Sequence, residues 1–428
     1  MDATGPTVSA ARSRSGPRAI IFGVAVLVLA WVGWQIIANT IADTRAQTEP
    51  VVALQWRPGS ATALETLAEQ QLVAAKTPAD LAQVADLATR ALATSPLEER
   101  AVRLLAMVAE MEGDATAAGR LMDLAGKRSL RDTVAQVWLF DQLARAGKLE
   151  AALGPADAIL RTRPDLGQLL LPTLTAIAEK NPASLIAALE LNPPWREWFL
   201  GALPATAEPS IVFALLSGLE GGAHPPATSD IKPYLDQLIA TGQFELAYLA
   251  WAHFLPDSSG KGLSYLYNGD FETPVSGLPF DWMISSIGGA ATEVVSTGEA
   301  NRGQAVRVTF ANTRVPYRHL SKLLVLPAGD YRLSGQVRAD NLANERGMVW
   351  RIACADGAKQ MLGESAPVNG TEPWTEFAQD FVVPSADCRG QWLTLELAAR
   401  TPIEQQVSGE IWYDRLAIER TAAPGPSG

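Results

Sequence analysis

Cysteine and histidine are scarce in this sequence, which has two cysteines and three histidines among 428 residues. That is too few for the usual Cys/His zinc sites or for iron–sulfur clusters. Basic residues are also in deficit, with 35 Lys and Arg against 46 Asp and Glu and a formal net charge of −11. Binding to a phosphate backbone depends on neutralising many charges with Lys and Arg, so we expect no nucleic-acid partner.

The sequence also lacks the common catalytic motifs. It contains no Walker A loop, dinucleotide glycine fingerprint, HExxH or GxSxG. His224, His253 and His319 each lack a recognisable nucleophile nearby in the sequence. Carboxylate pairs for glycoside hydrolysis depend on spatial distance and stay open at this point. We expect a protein that is not an enzyme.

One long apolar run is present near the N-terminus. Residues 19–38 carry no charge and include Trp31 and Trp34 near the distal end. About twenty residues at roughly 1.5 Å each span the hydrocarbon core of a bilayer, so the run predicts a transmembrane helix. A cleaved signal peptide is the alternative, although its apolar core is usually about 7–15 residues long.

The charges around this run predict its orientation. Arg12, Arg14 and Arg18 precede it, whereas acidic residues such as Asp43 follow it. Because positive flanks stay in the cytoplasm, residues 1–18 are predicted to form a disordered cytoplasmic tail. The bulk of the chain is then outside the cytoplasm of a single-pass protein.

A helical repeat follows the apolar run. When the sequence is compared with itself, similar segments recur at an offset of 34 residues. At this offset Asp80, Asp114 and Lys148 each begin the second helix of a predicted pair, and Gly113 aligns with Gly147 at the turn between the two helices. Segments such as EMEGDATAAGRLMDLA and ARAGKLEAALGPADAIL resemble the second helices of tetratricopeptide repeats.

This resemblance implies an α-helical solenoid over residues 61–256, after a linker at 39–60. It is clear over residues 78–164 and weaker beyond them. Stacked repeats of this kind usually present a concave surface to a peptide or protein, so a periplasmic or inner-membrane protein partner is expected there. A spacer without a ligand is the alternative.

The C-terminal third changes to strand patterns. Alternation is clear in AVRVTF, YRLSGQVRA, WLTLELA and EIWYDRLAIE. Eight or nine short strands predict an all-β sandwich over residues 265–420, followed by a disordered tail at 421–428. The fold class is therefore multidomain, with a transmembrane helix, a helical solenoid and a C-terminal β-sandwich.

Short motifs give the sandwich a family resemblance. YNGDFE, GLPFDW, LPAGDYRLSGQVRA and GEIWYDRLAIER, in this order, resemble a carbohydrate-binding module of the cellulose/xylan-binding jelly-roll superfamily. The resemblance implies a jelly roll that binds polysaccharide. Related galactose-binding-like jelly rolls also bind proteins or lipids, and these alternatives stay open.

A sugar site needs exposed aromatic rings beside polar groups, because sugar C–H faces pack on rings and hydroxyls need hydrogen bonds. The candidate platform rings are Tyr317, Trp350 and Trp374, with Arg351 and Gln379 as polar neighbours. Two further rings, Trp282 and Trp412, are predicted to be core.

The resemblance also implies a structural calcium between the first and last strands, with Glu272 and Asp414 at the matching positions. Two ordinary surface carboxylates are the alternative. No other cofactor is expected. Cys354 and Cys388 both lie in the predicted sandwich, and an oxidising compartment favours a disulfide between them over two free thiols.

Together these patterns predict a single-pass protein of the bacterial inner membrane with a cytoplasmic N-terminus and a periplasmic bulk. The domain combination suggests a scaffold that binds an envelope or secreted polysaccharide during its assembly or export. A structural protein–protein adaptor without sugar binding is the main alternative.

Overall fold

The computed structural model describes residues 16–255 and 264–421, with side chains described from residue 21 onward in the first range. Most of the expected tails at 1–18 and 421–428 and the last residue of the expected solenoid therefore lie outside the described residues. The chain divides into two compact units, Met1–Thr173 and Leu174–Gly428, and the division falls inside one helix.

Fourteen α-helices are present in the described part of the chain. They are α1 (Gly16–Arg45), α2 (Pro50–Trp56), α3 (Ala61–Ala74), α4 (Pro78–Thr94), α5 (Glu99–Met111), α6 (Ala115–Arg128), α7 (Thr133–Arg145), α8 (Leu149–Thr162), α9 (Gly167–Lys180), α10 (Pro182–Glu190), α11 (Arg196–Ala202), α12 (Pro209–Leu219), α13 (Thr228–Ala240) and α14 (Phe244–His253).

The first helix contains a long apolar segment. Its segment Ile21–Arg45 has a mean hydropathy of 2.2 and is long and apolar enough, by length and composition, to cross a membrane. The side chains of Phe22, Leu27 and Trp31 are all more than 60% exposed. Over residues 21–37 this helix is apolar all round and has no buried side chain, which is the surface that a bilayer requires.

The expected linker at 39–60 is largely helical, which corrects the sequence interpretation. Helix α1 continues to Arg45 and α2 follows after a short turn. Ala42, Ala46, Ala53 and Ala63 are fully or almost fully buried together between α1, α2 and α3. These small side chains let the helices approach closely, and that packing rather than polarity determines the local structure.

Unit 1 is built from antiparallel helix pairs. Helices α3 and α4, α5 and α6, and α7 and α8 pack pairwise. Gly113 and Gly147 have φ of 86° and 68° at the turns inside two of the pairs, a conformation that glycine adopts without strain. Asp114 caps α6 through a hydrogen bond of 2.9 Å from the Ala117 amide. The expected helical repeat is present, while its assignment to the tetratricopeptide family stays a prediction.

Unit 2 combines the last helices with the sandwich. Helix α14 packs on the sandwich: the Trp251 ring lies 5.3 Å from Tyr267 and 5.7 Å from Phe280, and Phe280 also contacts Tyr248 at 5.5 Å. Trp251 is 1% exposed. The boundary between the two compact units follows Thr173, whereas the composition predicts a domain boundary near residue 256. The two differ because this aromatic cluster joins α14 to the sandwich.

The sandwich has ten strands among the described residues. They are β1 (Met283–Ile284), β2 (Ala290–Ser296), β3 (Gln304–Arg314), β4 (Leu320–Leu324), β5 (Gly329–Ala343), β6 (Met348–Cys354), β7 (Met361–Glu364), β8 (Gly370–Val383), β9 (Gln391–Leu397) and β10 (Gln406–Arg420). The first sheet has the order β1-β4-β9-β6-β7 and the second β2-β3-β10-β5-β8, each antiparallel throughout. This confirms an α-then-β layout with a jelly-roll-like sandwich.

Aromatic rings fill the space between the two sheets. Trp282 stacks on Phe271 at 5.1 Å and contacts Trp350 at 5.8 Å, and Trp350 in turn contacts Tyr413 at 5.2 Å. The Trp282 indole donates a hydrogen bond of 2.7 Å to the backbone oxygen of Asn268. The YNGDFE and GLPFDW motifs therefore serve a structural purpose, closing one end of the core.

Candidate functional site

An open groove of about 420 Å³ crosses the outer face of the first sheet. Along β9, Leu393, Leu395 and Leu397 are buried, so the alternate residues of the strand face outward. The groove is lined by side chains that include Arg318, Ser321, Arg351, Lys359, Met361, Trp392, Thr394 and Glu396.

Strand register arranges these outward side chains in two rows. In one row, Ser321 on β4 pairs with Thr394 on β9, which pairs with Arg351 on β6. In the next row, Trp392 on β9 pairs with Ala353 on β6. The short Ala353 side chain leaves space beside the half-buried Trp392 ring, and the groove opens there.

Arg351 is held in a fixed position at the centre of the groove. It donates hydrogen bonds of 2.6 Å to Glu364 and to Glu396. Burial would lower the pKa of the Arg351 guanidinium, but the hydrogen bonds and charges of the two carboxylates more than offset it, so that pKa is raised. The result is a preorganised polar group beside an accessible indole.

Two further cations line the groove without an ion-pair partner among the described residues. Arg318 precedes β4 and Lys359 precedes β7, and both are exposed. The pKa of the neighbouring His319 is lowered by burial and by the charge of Arg318. Charged groups of both signs and an indole thus meet on one accessible face.

Two of the proposed platform rings are core residues instead, which corrects the sequence interpretation. Trp350 and Tyr317 are 0% and 2% exposed. The Tyr317 hydroxyl lies 2.7 Å from the Thr292 hydroxyl, and burial raises the pKa of Tyr317 well above its usual value. On β6, Trp350 faces inward with Met348 and Ile352, so Arg351 faces outward. Neither buried ring can meet a sugar.

Trp374 lies on the outer face of the second sheet, away from the groove strands. Its indole donates a hydrogen bond of 2.9 Å to Glu299, and the Arg302 guanidinium lies 3.9 Å from its ring centre. Gln379 is also on this sheet, where its amide donates to the backbone oxygen of Asp380 at 2.7 Å. Of the five proposed sugar-binding residues, only Arg351 lies in the groove.

Trp412 is buried, but on the outer face of the second sheet and outside the aromatic core between the sheets. It pairs across strands with Arg307 and Arg338, whose guanidinium carbons lie 5.2 Å and 5.0 Å from its ring. Two guanidinium groups therefore cover this indole in a cation–π arrangement. The expectation that Trp412 lies in the core between the sheets was wrong.

The expected calcium ligands already have other partners. Asp414 accepts hydrogen bonds from the Arg302 guanidinium at 2.9 Å and from the Arg415 amide at 2.6 Å. Glu272 accepts one from the Gln304 amide at 2.8 Å. Within the described ranges, no group of three or more His, Cys, Asp or Glu is placed to hold a metal ion. Calcium would have to displace Arg302 from Asp414, so this pair fits the ion poorly, and calcium binding stays a prediction.

The disulfide between Cys354 and Cys388 is present, with a Cα–Cα distance of 5.0 Å. It joins the last residue of β6 to the segment before β9, next to the groove. Just beyond it, Arg389 bonds to Asp356 at 3.0 Å and lies 6.0 Å from the Phe244 ring of α14. Arg389, the residue after Cys388, thus lies between the groove wall and the helix that packs on the sandwich.

The helical part carries one Ser–His–carboxylate contact, between α12 and α14. His253 Nε2 lies 3.3 Å from the Ser217 hydroxyl and 2.9 Å from Glu220. Both contacts use the same ring nitrogen, whereas a catalytic triad needs the base to face the nucleophile with one nitrogen and the carboxylate with the other. This cluster cannot relay a proton in that way.

Searches with the whole sequence match no family model and none of the curated proteins. Among solved structures, the chain is similar to a CBM4 module at 16% identity, covering 36% of this chain and 99% of that chain with a TM-score of 0.28. It is also similar to the CBM22-1 xylan-binding domain from Paenibacillus barcinonensis at 16% identity, covering 33% and 87% with a TM-score of 0.24.

A third similar structure is TmCBM61 in complex with beta-1,4-galactotriose, at 18% identity, covering 37% of this chain and 100% of that chain with a TM-score of 0.26. These similarities are too low to establish membership of a family. A functional assignment must therefore come from the chemistry of the groove.

Proposed function

We propose that the protein is a membrane-anchored binding protein that holds a polysaccharide in the groove on the first sheet. The observation that carries this proposal is the half-buried Trp392 indole beside Arg351, which Glu364 and Glu396 hold in place. An accessible ring offers a surface for the C–H face of a sugar, and fixed polar groups offer hydrogen bonds to its hydroxyls. The role is binding without catalysis.

The test compares Trp392→Ala with wild-type full-length protein in detergent, using a panel of neutral and acidic polysaccharides. Loss of the ring should weaken binding at least about fivefold, since a buried aromatic contact contributes about 1–3 kcal/mol. The melting temperature should change little, because Trp392 lies outside the core.

Trp374→Ala on the second sheet is the matched control and should bind like the wild type. Equal weakening in both variants, or no binding of any polysaccharide by the wild type, would refute a sugar site in this groove.

The proposed location is a bacterial inner membrane, with α1 as the anchor and the bulk in the periplasm, where the polysaccharide would be assembled or exported. The apolar length of α1, the three arginines before it and the disulfide support this orientation. A reporter enzyme that is active only outside the cytoplasm, fused to the C-terminus, should be active. Activity confined to a cytoplasmic reporter would contradict the orientation.

A protein-adaptor role is the second candidate, carried by exposed leucines in unit 1. Leu97 and Leu130 occupy equivalent connections before α5 and α7 and are 81% and 65% exposed. Exposed aliphatic side chains at repeated positions suit a protein partner in the periplasm or inner membrane. Crosslinking in membranes should trap that partner with the wild type and lose it with Leu97→Ser combined with Leu130→Ser.

A further inference from the structure

We propose that the polysaccharide held by the groove is acidic, with carboxylate groups on more than one of its sugar residues. This inference rests on the proposed sugar site and adds the ligand's charge. It starts from Arg318 and Lys359, the two groove cations that have no carboxylate partner among the described residues.

The carboxylates on this face of the sheet cancel these cations only in part. Glu396 lines the groove, and its side chain and that of Glu364 share the single positive charge of Arg351. These three groups leave one negative charge against the two positive charges of Arg318 and Lys359, so the groove retains an excess of one positive charge in a chain whose net charge is −11. A ligand with negative charges is the complement of that local excess.

The separation of the two cations favours a polymer over a small acid. Arg318 precedes β4 and Lys359 precedes β7, and β9 and β6 lie between those strands. Three strand spacings of about 4.8 Å put roughly 14 Å between β4 and β7 across the sheet. Because these two strands run in opposite directions, Arg318 and Lys359 precede them at opposite ends of the sheet, and the two backbones are further apart than that. One carboxylate group would be held by one cation, whereas a chain with repeated carboxylates can meet both while it crosses Trp392.

The exposure of the two cations determines how binding should depend on salt. Exposed charges are screened over about 8–10 Å at physiological ionic strength. Their contribution should therefore fall as salt rises, while the contact with the Trp392 ring should persist. An acidic polymer should lose affinity with salt, and an uncharged polymer should not.

The experiment measures binding of the full-length protein in detergent to polygalacturonate and to the same polymer after reduction of its carboxylates to alcohols. This pair of probes differs in charge and shares its backbone. The variants are Arg318→Gln and Lys359→Gln, with Arg314→Gln as the control, since Arg314 is an exposed arginine on the second sheet.

We expect polygalacturonate to bind more tightly than its reduced form. Each groove variant should weaken polygalacturonate binding by about three- to tenfold and leave binding of the reduced polymer unchanged. Arg314→Gln should match the wild type. Added salt should reduce the difference between the two polymers.

Equal affinity for both polymers would overturn the acidic-ligand inference and leave the sugar site standing, provided that Trp392→Ala still weakens binding. The same loss in Arg314→Gln as in the groove variants would also overturn it, because attraction would then be general rather than local. No binding of either polymer or of the wider panel would overturn both the inference and the proposed function.

Discussion

Replacing Lys322 by methionine should remove a specific pH dependence from the stability of the sandwich. Lys322 lies on β4 on the same side as Leu320 and Leu324 and is 1% exposed. Its side-chain nitrogen donates a hydrogen bond to the backbone oxygen of Tyr267 and lies 5.0 Å from the Trp282 ring. Burial lowers the pKa of Lys322 to about 7, although the charge of Asp281 opposes this shift.

The size of this pH dependence follows from the proton that Lys322 takes up when the protein unfolds. In the unfolded chain Lys322 remains protonated up to its ordinary pKa of 10.5, whereas the folded protein releases that proton above about 7. Between these values the unfolded state binds more protons, so folding is favoured as the pH rises and the gain is lost as the pH falls towards 7. The slope is about 1.36 kcal/mol per pH unit, which gives roughly 2–2.5 kcal/mol between about pH 7.5 and 9.5.

The assay is urea unfolding of the full-length protein in detergent, followed by near-UV circular dichroism at several pH values. The free energy of unfolding of the wild type should rise by the amount above, and that of Lys322→Met should lack this rise. Lys359→Met, which removes an exposed lysine, should retain it. An unchanged pH slope in Lys322→Met would refute the assignment of a neutral amine to this buried position.

Three other outcomes follow from contacts in unit 2. Replacing both Cys354 and Cys388 by serine should lower the unfolding free energy by about 3–4 kcal/mol in the chain-entropy model, as measured by calorimetry. Helix α14 should melt together with the sandwich, as measured by circular dichroism, because it packs beside this bridge. Trp350→Ala should cost about 3–5 kcal/mol by urea unfolding, since the ring is buried. Exchange of EDTA for calcium should barely change the melting temperature, because Arg302 already neutralises Asp414.

Separate results would contradict each of these. Alkylation of both cysteines in native, non-reduced protein would argue against the disulfide. A normal melting temperature for Trp350→Ala would place the ring outside the core. A large calcium-dependent rise in melting temperature would show that the ion displaces Arg302 and that the sequence expectation for Asp414 and Glu272 holds.

Periodicity was sufficient to predict the order of helices and strands, because amphipathic spacing reflects which face is buried. The Gly113 and Gly147 turns are predictable from sequence for the same reason, since a fixed offset repeats the same backbone requirement. The 39–60 segment was mispredicted because a stripe of alanines packs helices tightly without a strong apolar pattern.

The orientation of strand residues was harder to predict. In VWRIAC both sets of alternate residues include apolar side chains, so the pattern does not tell which set faces the core. In QWLTLEL the pattern is clear: the leucines alternate with Thr394 and Glu396, and Trp392 shares the side of these two polar residues. That alternation is enough, on the sequence alone, to identify Trp392 as outward-facing.

The buried Lys322 and the covered Trp412 had no such local indication. Their environments depend on residues far away in the chain, Tyr267 and Trp282 for Lys322 and Arg307 and Arg338 for Trp412. Only the register of distant strands brings these groups together, and a single sequence does not specify it.

The aromatic packing of α14 on the sandwich has a mechanical consequence. A polymer held in the groove and pulled along its length would load β6 and β9, whose ends are joined by the disulfide. From there the force reaches Arg389 and Gly390, which contact Phe244 on α14. If the proposed groove holds a polymer, tension on that polymer would therefore reach α14 through side-chain contacts as well as through the connecting chain.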